Sequence, residues 1–347
     1  MQLFVGSYTT SGGPGVLRLA FDEKTGKLEK LGASDAFQNP SYLTLSPDET
    51  RLYAACEQGD ATVIAAFALC PERDVTPINE ARFPGAGTCH LRLSPDGRFI
   101  AAANFGSGSV VTAKINADGS VGALVSQVVY MGQNEDPARQ NTPYAHCVLF
   151  TPDSRFMLAA DLGTDSVWRH SFDAATGILG APVRAFHLPE GEGPRHLAFD
   201  APRGRLLVNS EMGNKLYVFE MDEDSGALTL LHAMPALSPG FTGRSTSAAL
   251  KLSADGRYAA MSHRGEDSVA VFKLADTMDG AFITSPTGGQ SPRDFAFSPD
   301  GRYAAAAHQD SGTLVMHRFC GETGRLTEIV CEAAVKGAVC AVFARNL

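Results

Sequence analysis

This sequence contains neither a long apolar segment nor an excess of basic residues. The longest apolar run, at residues 61–70, is too short to span a bilayer, and the first residues lack the basic and apolar regions of a secretory signal. The formal net charge of −9 argues against nucleic acid or an anionic membrane surface as the partner. We therefore expect a soluble cytoplasmic protein that binds any anionic ligand through a local cluster of arginine or histidine.

Disulfide frameworks and low-complexity tracts are also missing. The seven cysteines are an odd number, follow no C-x-x-C spacing and in several cases lie in apolar strand-like runs, so we expect buried, reduced thiols. Hydrophobic residues make up 44% of the chain and charged residues 19%. This composition excludes disorder and supplies enough apolar side chains for a packed core.

A repeat runs along the whole chain. Each copy contains a short apolar strand, a tight turn of the Ser-Pro-Asp-Gly type, a second apolar strand and, after a polar loop, an alternating third strand. The aspartates of the clearest turns are Asp48, Asp96, Asp153, Asp255 and Asp300. A looser copy near Pro202 divides the longest interval, so successive copies lie about 45 to 57 residues apart, which is the spacing of a four-stranded propeller blade.

The two ends of the chain predict how the ring of blades closes. The N-terminal residues supply the second, third and fourth strands of a blade, whereas residues 337–345 form a lone apolar strand. Pairing this strand with the N-terminal blade makes seven blades and leaves no sheet edge exposed. We therefore predict an all-β, seven-bladed β-propeller of four-stranded antiparallel blades, with residues 1–347 as one domain. Two separate sandwiches would leave the even spacing unexplained.

In a propeller, the starts of the first strands of the blades lie at one mouth of the central channel. One register of these starts is Ser41, Cys89, His146, Arg195, Ala248 and Arg293. The next register is Tyr42, His90, Cys147, His196, Ala249 and Asp294. Because successive strand side chains point to opposite sides, we expect one register to face the channel and the other to pack between blades.

The second strands end at the same mouth, and their ends are polar. They carry Tyr8, Glu57, Asn104, Asp161, Glu211, His263 with Arg264, and His308 with Gln309. Ionisable groups at one structural depth indicate a polar site. For Glu57 and Asp161 we favour the simpler role of solvating loop ends. For His146 a core role is the alternative, and the guanidinium groups of Arg195 and Arg293 in the same register favour the pocket.

Several short motifs carry a family resemblance. They are Gly6-Ser7-Tyr8-Thr9, Asn39-Pro40-Ser41-Tyr42, Gly193-Pro194-Arg195-His196, Glu211 and Gln309. Together they resemble the seven-bladed lactonase family, which includes bacterial 6-phosphogluconolactonases and the fungal carboxymuconate lactonizing enzyme. The resemblance implies a catalytic set of His146, Arg195, Glu211 and Arg264. It makes Tyr8, His90, His196, Arg293 and Gln309 the candidates for binding substrate. Phe105, where a tyrosine is common, and the Ala248-Ala249 strand start depart from the pattern.

The resemblance implies hydrolysis of a small anionic sugar lactone, foremost 6-phospho-D-glucono-1,5-lactone of the pentose phosphate pathway. The lactone carbonyl is already activated, so hydrolysis needs water activation, oxyanion stabilisation and protonation of the ring oxygen, with no metal, cofactor or covalent nucleophile. Glu211 and His146 are the candidate base and acid, in either order. Arg195 and Arg264 suit an anion, because the guanidinium fork matches phosphate and carboxylate.

Three alternatives belong to other classes of function. Cycloisomerisation of a carboxymuconate would use the same arginines for carboxylates and Glu211 or His146 for proton transfer. A protein-binding scaffold would need no convergent ionisable pocket, and the chain lacks the Gly-His and Trp-Asp signatures of WD40 scaffolds, its only tryptophan being Trp168. A calcium-dependent gluconolactonase is disfavoured, since no inward set of Asp, Glu and Asn at matching registers would supply oxygen ligands.

Overall fold

The computed structural model describes residues 1–70, 75–132, 139–345 and 347. These residues form seven four-stranded sheets, each antiparallel, which we number as blades I to VII. The innermost strands of the seven sheets contact one another in cyclic order and so surround a central channel. The predicted all-β, seven-bladed architecture is confirmed.

The strands are numbered in chain order. Blade I begins with β1 (Gln2–Ser7), β2 (Val16–Asp22) and β3 (Lys27–Ser34). Blade II consists of β4 (Pro40–Leu45), β5 (Arg51–Cys56), β6 (Thr62–Leu69) and β7 (Val75–Phe83). Blade III consists of β8 (Thr88–Leu93), β9 (Phe99–Asn104), β10 (Ser109–Ile115) and β11 (Val121–Val129). Blade IV consists of β12 (Ala145–Phe150), β13 (Phe156–Asp161), β14 (Ser166–Ser171) and β15 (Val183–His187).

The second half of the ring repeats this order. Blade V consists of β16 (Pro194–Asp200), β17 (Arg205–Ser210), β18 (Lys215–Met221) and β19 (Leu228–Pro235). Blade VI consists of β20 (Thr246–Leu252), β21 (Tyr258–Arg264), β22 (Ser268–Lys273) and β23 (Phe282–Pro286). Blade VII consists of β24 (Pro292–Phe297), β25 (Tyr303–His308), β26 (Thr313–Cys320) and β27 (Arg325–Ala334). The last strand is β28 (Ala338–Phe343), and short 3-10 turns lie at Thr9–Ser11, Leu162–Thr164 and Ala201–Arg203.

Strand β28 closes the ring. It pairs antiparallel with β1, so that Leu3 lies opposite Phe343 and Gly6 opposite Cys340, while β2 occupies the other side of β1. The first and last strands of the chain therefore share blade I, as the sequence predicted. This pairing covers the edge of β1 that would otherwise be free to pair with another chain.

The repeated turns have the chemistry expected of them. In the first, the Ser46 hydroxyl donates to Asp48 at 2.6 Å, and the Asp48 carboxylate accepts the Thr50 backbone N–H at 3.1 Å. The same hydroxyl-to-aspartate bond recurs in the turns of Asp96, Asp153, Asp255 and Asp300. These local bonds satisfy the turn backbone and set the angle at which each second strand begins.

Apolar packing between neighbouring blades forms the core. The second strands, such as β9 and β13, are buried along their entire length because a neighbouring sheet covers each face. The outermost strand β27 is largely half-exposed or exposed. All seven cysteines are free; four of them are buried, but Cys70 is exposed and Cys320 and Cys331 are half-buried. The expectation that the thiols are buried is therefore wrong for these three.

The prediction that side chains alternate regularly at the start of each innermost strand is wrong, because a β-bulge interrupts the pairing there. In β12, Ala145 pairs with Asp161 and Cys147 with Ala160, which leaves His146 without a partner residue. The residues left over in this way, blade by blade, are Val339, Ser41, Cys89, His146, Arg195, one of Ala248 and Ala249, and Arg293. A bulge inserts one residue and re-aims its side chain. Members of both predicted registers consequently line one pocket, Arg195 together with His196 for example.

Candidate active site

The polar side chains at the strand ends meet at one mouth of the channel. Arg195 and His146 occupy the bulges of β16 and β12, Glu211 directly follows β17, and Arg264 ends β21. Arg293 occupies the bulge of β24. A small pocket at this mouth is lined by Ser41, Tyr42, Cys89, His146, Arg195, His196, Arg293, Asp294 and Val339.

Glu211 lies at the centre of an arginine cluster. Its Oε2 atom accepts a hydrogen bond from Nε of Arg195 at 2.9 Å and lies 3.1 Å from Nη2 of Arg264. Its Oε1 atom accepts a hydrogen bond from Nη2 of Arg139 at 2.8 Å. The side chain of Glu211 is 10% exposed and that of Arg195 only 2%. Three guanidinium groups therefore converge on one nearly buried carboxylate.

Opposing effects set the charges in this cluster. Burial alone would raise the pKa of Glu211, but the charges of Arg264, Arg195 and Arg139 outweigh it and bring the pKa below the ordinary 4.5. Burial lowers the pKa of Arg264 to about 10, a change that Glu211 opposes and Arg195 reinforces. At neutral pH the carboxylate is ionised and the guanidinium groups keep their charge.

Arg195 is fixed by three acceptors. Besides Glu211, its Nη1 atom donates to the Ala248 carbonyl at 2.6 Å and to Nε2 of His196 at 3.0 Å. Since a guanidinium group only donates, Nε2 of His196 is the acceptor and this imidazole is neutral. Burial, with the charge of Arg195, lowers the pKa of His196 well below 6.5. These bonds use Nε and Nη1 of Arg195, and Nη2 makes no bond to the residues that the structure describes.

His146 lies beside the cluster as an unprotonated base. Its Nδ1 atom is buried and has no hydrogen-bond partner among the residues that the structure describes. The ring lies 5.6 Å from the ring of His196 and 5.7 Å from that of Phe105, measured between centroids. Burial, reinforced by the charges of Arg195 and Arg293, lowers the pKa of His146 well below 6.5. The imidazole is therefore neutral at physiological pH and can accept a proton.

A second cluster occupies the same mouth around Arg293. The Tyr8 hydroxyl donates to Oε2 of Glu57 at 2.6 Å, and Nη2 of Arg293 lies 3.7 Å from the same oxygen. The Arg293 guanidinium lies 5.6 Å from the centre of the Tyr8 ring, and its Nη1 donates to Gln309 at 3.3 Å. Burial, with the charge of Glu57, raises the pKa of Tyr8, so its hydroxyl stays protonated.

His90 lies deeper in the channel than the other candidates. Its ring packs on Tyr42 at 4.1 Å and lies 5.4 Å from the ring of His196. Tyr42 and His196 line the mouth pocket and also a larger pocket at the opposite end of the channel, which His90 and Lys251 line as well. The rings of Tyr42, His90 and His196 thus stand between two pockets, and the structure does not bring His90 to the mouth with the other predicted residues.

Two residues of the site escaped the sequence analysis. Arg139 lies in the loop between blades III and IV, outside every repeated register, so no periodic signal could identify it. Glu57 was placed at the right depth but interpreted as a loop-end group, whereas its carboxylate bonds Tyr8 and lies near Arg293. Asp161 is buried and does not solvate the loop end; it accepts bonds from Tyr144, Gly163, Thr164 and Trp168 within its own blade.

Within the described residues, no group of three or more His, Cys, Asp or Glu side chains is arranged to hold a metal ion. The part of the chain that the structure describes also contains no helix of the length and hydropathy needed to cross a membrane.

Fold and site together define a seven-bladed β-propeller with a basic pocket at one mouth of its channel. The sequence profile of the family "Lactonase, 7-bladed beta-propeller" matches residues 2–343. A 6-phosphogluconolactonase of Bacillus subtilis (strain 168) is 29% identical over 343 residues, covering 98% of this chain and 97% of that protein. The chain therefore belongs to the lactonase family of seven-bladed β-propellers and is a lactone-hydrolysing enzyme.

Solved structures agree with this assignment. A periplasmic gluconolactonase of Pseudomonas aeruginosa superposes with a TM-score of 0.90 at 28% identity, covering 99% of each chain. A protein from Lactobacillus plantarum has a TM-score of 0.90 at 26% identity, again covering 99% of each chain. The family resemblance that the motifs carried is confirmed.

Proposed function

We propose that this enzyme hydrolyses 6-phospho-D-glucono-1,5-lactone to 6-phosphogluconate. The observation that carries the proposal is the meeting of four guanidinium groups with two carboxylates at one mouth. Among the charged groups in these ion pairs of the described residues, positive charge is therefore in excess, in a protein whose net charge is −9. A basic pocket in an acidic protein favours an anionic substrate, and the relative from Bacillus subtilis is named for the phosphorylated lactone.

The base in this mechanism is His146. Both carboxylate oxygens of Glu211 already accept hydrogen bonds from guanidinium groups, so neither oxygen is free to take the water proton. His146 is neutral, and its Nδ1 atom lacks a partner in the described part of the chain. As water attacks C1 of the lactone, the water proton passes to the imidazole. When the bond from C1 to the ring oxygen breaks, the imidazolium returns that proton to the ring oxygen.

The arginines stabilise the negative charge that develops on the carbonyl oxygen. Within the described part of the chain Nη2 of Arg195 has no partner, and Arg264 lies beside it on the same carboxylate. Donors held in place before the reaction stabilise an oxyanion without reorganisation. In this scheme Glu211 is a positioning residue that holds both guanidinium groups, and Arg293 with Tyr8 binds the phosphate at the far end of the substrate.

The test compares lactones with the wild-type enzyme. Loss of freshly prepared 6-phosphogluconolactone is followed beside its spontaneous hydrolysis, with unphosphorylated glucono-1,5-lactone and a carboxymuconate in parallel. We expect the highest kcat/KM for the phosphorylated lactone. A higher kcat/KM for glucono-1,5-lactone would move the assignment to an unphosphorylated sugar lactone, and turnover of the carboxymuconate alone would replace hydrolysis by cycloisomerisation.

A further inference from the structure

Arg293 is held much less firmly than Arg195. The bonds of Arg195 to its acceptors are 2.6 to 3.0 Å long. Among the described residues, Arg293 makes one long bond of 3.3 Å to Gln309 and lies 3.7 Å from Glu57, beyond hydrogen-bonding distance. Its side chain is nevertheless only 18% exposed. A largely buried guanidinium group with such weak contacts retains most of its capacity to bind an anion.

Glu57 already occupies the place where such an anion would lie. Its Oε2 atom accepts the Tyr8 hydroxyl at 2.6 Å and lies 3.7 Å from Nη2 of Arg293. The side chain of Glu57 is 32% exposed, so the carboxylate has a path to solvent. A second anion bound by Arg293 and Tyr8 would meet the negative charge of Glu57 at a few ångströms, where like charges repel strongly in a partly buried site.

We propose that Glu57 is a specificity-determining residue that competes with the anionic end of the substrate for Arg293 and Tyr8. The inference rests on the proposed function, since it identifies Arg293 and Tyr8 as the phosphate-binding part of that site. In the empty enzyme Glu57 takes the place of the phosphate. A phosphorylated ligand displaces the carboxylate toward solvent, whereas an unphosphorylated lactone leaves it in place.

This competition has a consequence for turnover. Opening of the lactone adds a carboxylate, so the product has one more negative charge than the substrate. The return of Glu57 to Arg293 and Tyr8 then assists release of the phosphorylated product. Loss of the Glu57 charge should strengthen binding of phosphate and of product together.

The test is titration calorimetry with inorganic phosphate and with 6-phosphogluconate. Glu57→Gln removes the charge and keeps an acceptor for Tyr8, and we expect its Kd for both ligands to fall about tenfold. Glu57→Asp keeps the charge and should bind like the wild type. Glu328→Gln is the matched control, because it removes an exposed carboxylate that pairs with Arg318 on the outer strands of blade VII. It should also bind like the wild type.

Three results would overturn the proposal: an unchanged Kd in Glu57→Gln, an equal gain in Glu328→Gln, or no measurable binding of either ligand in any of these proteins.

A kinetic measurement accompanies the titration. The ratio of kcat/KM for the phosphorylated lactone to that for the unphosphorylated lactone should rise about tenfold in Glu57→Gln. Tighter phosphate binding without hydrolysis of 6-phosphogluconolactone would contradict the proposed function and keep the role of Glu57. Hydrolysis of 6-phosphogluconolactone with unchanged phosphate affinity in Glu57→Gln would support the proposed function and contradict the role of Glu57.

Discussion

The carboxylate of Glu211 holds together three guanidinium groups that would otherwise repel one another. Glu211→Gln leaves the largely buried charges of Arg195 and Arg264 uncompensated, so we predict a loss of about 3–5 kcal/mol in the free energy of unfolding, measured by urea denaturation. Arg139→Ala is the control, because this partner is 46% exposed and should cost no more than about 1 kcal/mol. Equal losses in the two variants would contradict a central role for the carboxylate.

For individual side chains, the sequence pattern predicts much of the polar mouth. A polar residue after each apolar second strand is visible as a pattern, and so Glu211, Arg264 and Gln309 could be placed at one depth. Arg139 could not, because its loop lies outside the repeat. The contact between Glu57 and Tyr8 could not be predicted either, since it joins the loop ends of the neighbouring blades I and II and depends on the relative position of two sheets.

At the scale of single elements, the β-bulges determine what faces the channel. Side-chain alternation along a strand assumes regular pairing, and a one-residue bulge reverses the alternation beyond it. The sequence of β16 contains no sign of the bulge except Gly193 and Pro194 before it. The catalytic candidates Arg195 and His146 are both bulge residues, so the geometry of the site depends on an irregularity that the hydrophobic pattern does not show.

Gly193 offers a test of this dependence. Its φ is +64°, its N–H donates to Asp165 at 2.6 Å, and a Cβ atom there would lie 2.8 Å from Cε of Met212. Gly193→Ala should therefore shift the segment that carries Arg195 and lower kcat at least tenfold, roughly the cost of misplacing one catalytic group. The measurement is steady-state lactone hydrolysis.

The control for this variant is Gly204→Ala. Gly204 has a similar φ of +62°, but a Cβ atom there meets nothing within 4 Å, and the residue lies at the other end of the blade. Both variants should lose about 1 kcal/mol of stability from the left-handed backbone. Only Gly193→Ala should lose activity, and equal kcat values in the two variants would show that the bulge does not position Arg195.

At the scale of the whole molecule, the repeat made the architecture predictable. Five clear copies and one looser copy, about 45 to 57 residues apart, together with complementary chain ends, predict one closed ring. The observed pairing of β28 with β1 is the predicted closure. The division of the channel by Tyr42, His90 and His196 was not predictable in this way. It depends on how strands of blades II, III and V converge on the axis, which no single repeat encodes.

Buried histidines make the folded molecule sensitive to acid. Burial lowers the pKa of seven histidines below the ordinary 6.5, namely His90, His146, His170, His196, His263, His308 and His317. Below about pH 6.5 the unfolded chain therefore binds more protons than the folded chain, and stability falls as the pH falls. Each of these histidines lowers the free energy of unfolding by up to about 1.4 kcal/mol for each unit by which the pH falls. We predict a steep decrease in Tm between pH 6.5 and 5, measured by calorimetry; a constant Tm over that range would contradict it.

In the proposed mechanism the basic mouth hydrolyses a phosphorylated lactone, with His146 as base and Arg195 as oxyanion donor. The most direct measurement is the rate of loss of 6-phosphogluconolactone above spontaneous hydrolysis, for the wild type, His146→Ala, Arg195→Ala and the exposed-residue control His187→Ala. We predict that kcat falls about 10²–10⁴-fold in His146→Ala and about 10²–10³-fold in Arg195→Ala, with the control unchanged. Wild-type rates in folded His146→Ala and Arg195→Ala would show that the reaction takes place elsewhere.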